Sequence, residues 1–325
     1  MKQGWRLRLT QAPGRTLLLV ACLLMLPVFL HPQLPLPRKV YAVGFVIDIT
    51  QSMNVRDGGP GGIARLAFAR QSVRDTLRHL PCGSLVSIGM FTERDVSMLF
   101  KPMEVCAHFS VLDEAVERLD WRMAWAADSF ITHGLYRGIE ETRKLKLDTL
   151  VFITDGQQAP PANPRYMPVF DGKPGEVGGI IAGVGGRQRQ AIPKLDENDN
   201  ITGYWVPEDA MQFATFGMAA VQSVQEMEGY HGRNAPHGAH PEGSYTEHMS
   251  ALDEPGLQEL ARITGLQYLH LQDNGQLADA LRQNTQHRQW VASDIRPLFA
   301  GLALLLLLAS YFPAFISSLF KKGKP

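Results

Sequence analysis

The sequence predicts an α/β fold: a Rossmann-like domain with a mostly parallel central sheet flanked by helices, and one transmembrane helix at each end. Three observations lead there. Short apolar runs rich in β-branched residues alternate with segments of helical periodicity, the pattern of βαβ units. Two of those runs end in acidic residues, Asp48 and Asp155. Charge-free hydrophobic stretches lie at 16–37 and 298–317, where no Lys, Arg, Asp or Glu occurs.

Residues 1–15 form a basic tail with Lys2, Arg6, Arg8 and Arg15. Residues 16–37 read as an N-terminal anchor, because about 20 apolar residues suffice to cross a bilayer as a helix. A cleaved signal peptide is the rival reading. No small-x-small site follows Leu30, and Leu-Leu-Met-Leu follows Cys22, so the uncleaved anchor is preferred. Residues 297–318 read as a second span, followed by a tail, 319–325, with Lys321, Lys322 and Lys324. Basic residues stay on the cytoplasmic side. Both termini are therefore expected in the cytoplasm, and residues 40–290 in the periplasm of a bacterial inner membrane.

Between the anchors, residues 40–48 (VYAVGFVID) are an apolar strand, and 62–79 a helix with Ile63, Leu66, Ala67, Val73 and Leu77 on its apolar face. Residues 85–92 and 96–101 read as a hairpin folded about Arg94. Reflection about Arg94 brings Cys82 opposite Cys106, so these two are a disulfide candidate in an oxidising compartment, with two buried thiols as the alternative. Helices follow near 109–120 and 133–145, then buried strands at 149–153 and 179–184. The chain closes with a helix over 255–265 ended by Gly265, a strand at 266–270 and a helix at 275–284. Residues 186–250 break this rhythm and read as an insertion.

The chain has 325 residues and no net formal charge, enough for one large domain and without the basic footprint of a nucleic-acid binder. Its informative motif is Asp48-Ile49-Thr50-Gln51-Ser52, directly after the first strand. Such a turn offers a carboxylate and two hydroxyls to one point at the carboxyl edge of the sheet, where open α/β sheets place ligands. A hard cation such as Mg²⁺ takes about six oxygens and keeps some waters. Neutral hydroxyl ligands leave the ion its charge, so it can accept a partner's carboxylate. Asp155 ends a second strand at the same edge, and Asp128-Ser129-Phe130-Ile131-Thr132-His133-Gly134 is a hydroxyl-bearing loop before a helix.

Taken together, VFIDITQSM, the central Thr and ITDG resemble the von Willebrand factor A (VWA) family over about residues 40–290. The resemblance implies a cation-dependent adhesion site with Asp48, Thr50 and Ser52 in its first loop, Thr132 in its second and Asp155 in its third. Thr132 stands two residues before Gly134 rather than three, so Ser129 is the alternative ligand. The ion implied is Mg²⁺, with Mn²⁺ or Ca²⁺ as substitutes. A narrower set, Asp48–Asn54, Leu80–Gly83, Glu104–Cys106 and Thr154–Pro161, is similar to the membrane-anchored VWA proteins of bacterial methanol-oxidation clusters. That similarity implies a non-enzymatic maturation factor for a periplasmic quinoprotein dehydrogenase, acting on the dehydrogenase or its maturation proteins and involved in calcium insertion. Related VWA proteins serve other inner-membrane complexes paired with MoxR-type ATPases.

Other motifs carry less. His231, His237, His240 and His248 lack the i, i+4 spacing of a helical zinc site and read as a solvated loop. Asp196–Asn200 suggests a calcium loop, but Ile201 and Pro207 stand where its Gly and Glu belong, so a turn is expected. No nucleophile–base pair is legible. A metal-dependent hydrolase would need His133 or an insertion histidine as its base.

Overall fold

In a computed structural model, the described residues are 13–159, 167–207, 246–283 and 287–321. They divide into two units, one of residues 39–287 and one built from the two ends of the chain.

The larger unit is a mixed α/β fold with a mostly parallel sheet. Its strands are β1 (Ala42–Asp48), β2 (Leu85–Thr92), β3 (Asp95–Met98), β4 (Met103–Glu104), β5 (Thr149–Thr154), β6 (Gly178–Gly183) and, late in the chain, Gln267–His270. The spatial order is Gln267–His270, β6, β5, β1, β2, β3, with β4 also on β2. Strands β1, β2, β5, β6 and Gln267–His270 run parallel, while β3 and β4 join β2 antiparallel. Every residue of β1 and β5 is buried, which explains why both read as unbroken apolar runs.

Side chains alternate across the sheet. Val43, Phe45 and Ile47 pack on one face with helices α1 (Arg65–His79) and α2 (Phe109–Glu117) and with Asn274–Gln283. Val46, Leu150 and Phe152 pack on the other, against α3 (Ile131–Lys144) and α4 (Glu254–Thr264). Helix α4 starts on Asp253, whose carboxylate accepts from the Gly256 N–H, and ends on Gly265 in the left-handed conformation. Helix α3 comes so close to β2 that a side chain at Gly134 would collide with the Phe91 ring.

The β2–β3 hairpin differs in register from its expected reflection about Arg94. Thr92 pairs with Asp95 and Gly89 with Met98, so the turn is centred between Glu93 and Arg94. After Leu99–Pro102 leave the ladder, Val86 pairs with Met103, half a residue off in the other sense. The two offsets cancel about the expected centre, and Cys82 is joined to Cys106 by a disulfide, Cα–Cα 5.2 Å.

In the insertion, β7 (Gln190–Ala191) pairs with β10 (Met249–Ser250), and β8 (Pro193–Leu195) with β9 (Ile201–Tyr204). Asp196–Asn200 is the turn between β8 and β9. Asp196 spends its carboxylate on the backbone N–H groups of Asn198 and Asn200 and on the Asn200 amide. His231, His237 and His240 lie outside the described residues.

The terminal unit contains a helix, Pro13–Phe29, a two-stranded ribbon of Gln33–Val40 with His287–Asp294, and a helix, Arg296–Lys321. The expected anchor 16–37 is therefore not one helix. Pro32, Pro35 and Pro37 end it, and residues from Gln33 onward enter the ribbon. The helix has 17 residues, about 26 Å at 1.5 Å per residue, short of a bilayer core of about 30 Å. The expected span 297–318 falls within Arg296–Lys321. Among the described residues, no helix is long and apolar enough to cross a membrane. Both helices nonetheless leave leucines outward: Leu19, Leu23, Leu26, Leu302, Leu305 and Leu308 are each more than half exposed.

Candidate metal centre

The direction of strand order reverses at β1: β2 lies on one side of it and β5 on the other. The crevice at the carboxyl ends of β1 and β5 is thus a topological switch point. Asp48 ends β1, and Asp155 follows Thr154 at the end of β5; both are fully buried.

The first loop converges as its sequence suggests. Asp48 Oδ1 accepts from the Thr50 N–H at 2.9 Å and from the Thr50 hydroxyl at 2.7 Å, and the Thr50 and Ser52 hydroxyl oxygens stand 3.3 Å apart. Asp48 Oδ2 accepts from the Thr154 hydroxyl at 2.6 Å. In an octahedral shell with metal–oxygen bonds of about 2.1 Å, neighbouring oxygens are about 3.0 Å apart. The two spacings, 2.7 and 3.3 Å, bracket that edge.

Burial, reinforced by the Asp155 carboxylate, pushes the Asp48 carboxyl up to about 7, against the hydrogen bonds from Thr154 and Thr50 that favour its charged form. A divalent cation is the natural counter-charge for such a group.

The second loop sets its two candidates apart. Ser129 is clamped by backbone hydrogen bonds to Ala159 in both directions, and the neighbouring Asp128 and Phe130 bond to Glu93. Ser129 lines a cavity of about 40 Å³ together with Thr50, Gln51, Ser52 and Gln157. Thr132 lines a different cavity of about 800 Å³, between α3 and α4, and its hydroxyl accepts from the Gln158 amide at 3.1 Å. His133 packs edge-on to Phe130 and lines a third cavity, with Arg94 and Arg137.

The third loop is held by a residue that the sequence did not single out. Arg65, at the start of α1, has no exposed side-chain surface. Its guanidinium donates to both Asp57 oxygens at 2.6 and 2.8 Å, to Asp155 Oδ2 at 2.7 Å and to the Ser250 hydroxyl at 2.5 Å. Burial alone would lower its pKa; hydrogen bonds and charge from Asp57 and Asp155 outweigh that and raise it. Gly185, at φ +102°, makes the space, since a side chain there would strike the guanidinium. Asp155 Oδ2 also accepts from Ser250, and Oδ1 from the Gln157 N–H. Asp155, like Asp48, accepts from protein donors through both oxygens; Asp48 is the carboxylate next to the two hydroxyls. A signal for Arg65 was present: a basic residue in the first turn of a helix opposes the dipole and needs another reason to be there.

A cation fits the donors around the small cavity. Buried atoms of residues lining it, among them Ser129 Oγ, Gln157 Oε1 and His248 Nδ1, have no hydrogen-bond partner among the described residues. Such atoms are ordinarily satisfied by water or an ion. At about 40 Å³ the cavity holds about three water-sized centres. Thr50, Ser52 and Ser129 line this cavity, and Asp48, which does not line it, is joined to it through its hydrogen bond with the Thr50 hydroxyl; oxygens of these types suit a hard cation.

No family model and no curated protein sequence matches the chain. Solved structures similar to it include an aerotolerance-related membrane protein from Bacteroides fragilis (14% identity, 74% of this chain and 96% of that one, TM-score 0.46). BatB from Bacteroides thetaiotaomicron aligns with 14% identity over 74% of this chain and 95% of that one, TM-score 0.44. A von Willebrand factor type A protein from Catenulispora acidiphila aligns with 9% identity over 84% and 51%, TM-score 0.35.

Proposed function

We propose that this chain is a non-enzymatic binding protein that holds a divalent cation at Asp48, Thr50, Ser52 and Ser129 and engages an acidic side chain of a protein partner through it. The observation that carries this reading is the convergence of one buried carboxylate and two hydroxyls at octahedral spacing on the sheet's switch point. Neutral hydroxyls leave the ion electrophilic toward an outside carboxylate. A cavity of about 40 Å³ takes an ion, a water and the tip of a side chain, which favours binding over turnover of a substrate. The hydrolase alternative loses His133, which lines a separate cavity, and would rest on the insertion histidine His248, which lines this one.

The finer reading rests on sequence resemblance: a factor that matures a periplasmic quinoprotein dehydrogenase and takes part in its calcium insertion. Attachment to the bacterial inner membrane through the terminal unit, with the larger unit in the periplasm, belongs to the same proposal; the outward leucines of the two terminal helices support membrane association. Capture from native membranes by wild type and Asp48→Ala, with Mg²⁺ or EDTA, tests it. Recovery of a periplasmic dehydrogenase by wild type with Mg²⁺ alone is expected. Equal recovery in all four conditions would remove the cation from the binding surface.

A further inference from the structure

The insertion contributes part of the lining of the small cavity. Ile192, Trp205, Glu247 and His248 line it together with Thr50, Ser52 and Ser129. His248 was expected in a solvated loop, yet its Nδ1 is buried and has no hydrogen-bond partner among the described residues. The backbone around it is fastened on three sides. The His248 carbonyl accepts from the Ile192 N–H at 3.0 Å, the Met249 carbonyl from the Gln157 amide at 2.8 Å, and the Ser250 hydroxyl donates to Asp155 at 3.0 Å. The segment that carries the imidazole is thus tied to the third loop of the cation site itself.

A buried imidazole nitrogen, a buried hydroxyl and a buried amide oxygen around one cavity, each without a hydrogen-bond partner among the described residues, make a mixed set of candidate ligand atoms. We infer that His248 of the insertion is a ligand of the same cation, making the site one of mixed oxygen and imidazole character that favours Mn²⁺ over Mg²⁺ and Ca²⁺. Carboxylate and hydroxyl oxygens suit all three ions, whereas imidazole nitrogen is a poor ligand for Mg²⁺ and Ca²⁺ and an acceptable one for first-row transition ions. The ion would then pin the insertion to the sheet edge, and loading would order the face that a partner meets. This inference rests on the cation reading above.

The test uses the full chain in detergent with Mn²⁺ as the probe. Electron spin-echo modulation of the loaded wild type is expected to show coupling to one ¹⁴N nucleus, and His248→Ala to lose it. The same substitution is expected to weaken Mn²⁺ about tenfold, the scale of losing one group that supports a metal, and to change Mg²⁺ affinity less than about twofold. Trp205 lines the cavity and reports both titrations by fluorescence. Mn²⁺ binding that Asp48→Ala abolishes, but that shows no ¹⁴N coupling in wild type, would overturn the role of His248 and leave the oxygen site standing. Absence of Mn²⁺ binding in wild type would overturn both. The wild-type spectrum decides the matter even if His248→Ala folds poorly.

Discussion

Replacing Arg65 by Met tests the architecture of the site at its centre. Met reproduces the aliphatic stem of Arg65 as far as about Nε, beside Gly185, without its guanidinium. What is lost is the charge and five donated hydrogen bonds, two to Asp57 and one each to Asp155, Ser250 and the Ser52 carbonyl. The side chains left behind are 10% exposed at Asp57 and 0% at Asp155. Removing one partner of a buried ion pair costs about 3–5 kcal/mol. Two carboxylates share this guanidinium, so Arg65→Met should lose about 5 kcal/mol at pH 8 in urea unfolding of the larger unit. Combining Arg65→Met with Asp155→Asn should recover part of it, because the amide removes a buried charge. Divalent cation should also narrow the gap, since Asp155 is then released from its guanidinium partner. A loss under about 1 kcal/mol would refute the claim that this guanidinium neutralises the site.

Asp48 carries a pH signature in the cation-free protein. Its carboxyl rises from 3.8 to about 7 on folding, so the stability it contributes is full below pH 4 and is lost as pH rises through about 7. The difference corresponds to about 4 kcal/mol at 1.36 kcal/mol per unit, and Asp48→Asn should flatten the pH 4–8 stability profile by that order. Cation affinity should rise over the same interval as the proton leaves, which titration calorimetry at pH 6 and 8 would detect. Breaking the Cys82–Cys106 disulfide, with a sequence separation of 24, should cost about 3 kcal/mol by loop-closure entropy; unfolding with and without reductant measures it. If the terminal unit anchors the chain in a bilayer, the protein should stay in the membrane pellet after alkaline carbonate extraction, and release into the supernatant would remove that part of the proposal.

What the sequence discloses here depends on how far each interaction reaches along the chain. Asp48, Thr50 and Ser52 lie within five positions, so the turn that gathers them is written locally, and β1 and β5 announce themselves as apolar runs because both their faces are covered. Arg65 meets Asp155 across 90 positions and Ser250 across 185, and no local pattern encodes either meeting. His248 was read as solvated because spacing alone judged it; a backbone hydrogen bond to Ile192 brings it over the cation loop. Ser129 and Thr132 are three residues apart, and only the clamp on Ala159 turns the former toward Thr50 and Ser52. At the N-terminal end, hydropathy extended the span to Pro37, whereas backbone chemistry ends the helix at Phe29, ahead of three prolines.

The charges around the site explain why these parts belong together. Asp48, Asp57 and Asp155 bring three negative charges when ionised, and Arg65 returns one, leaving an excess of two in a region where Asp48 and Asp155 are fully buried. That excess is what one divalent ion neutralises, and its partial relief in the ion's absence is the raised pKa of Asp48. A loaded cluster is then close to neutral and projects little field beyond a Debye length of about 8 Å at physiological salt. Attraction of an acidic partner would come from a vacant coordination position rather than from long-range steering. Affinity should accordingly follow the identity of the ion and the placement of the insertion over it, the two properties that Arg65 and Ser250 connect by sharing Asp155.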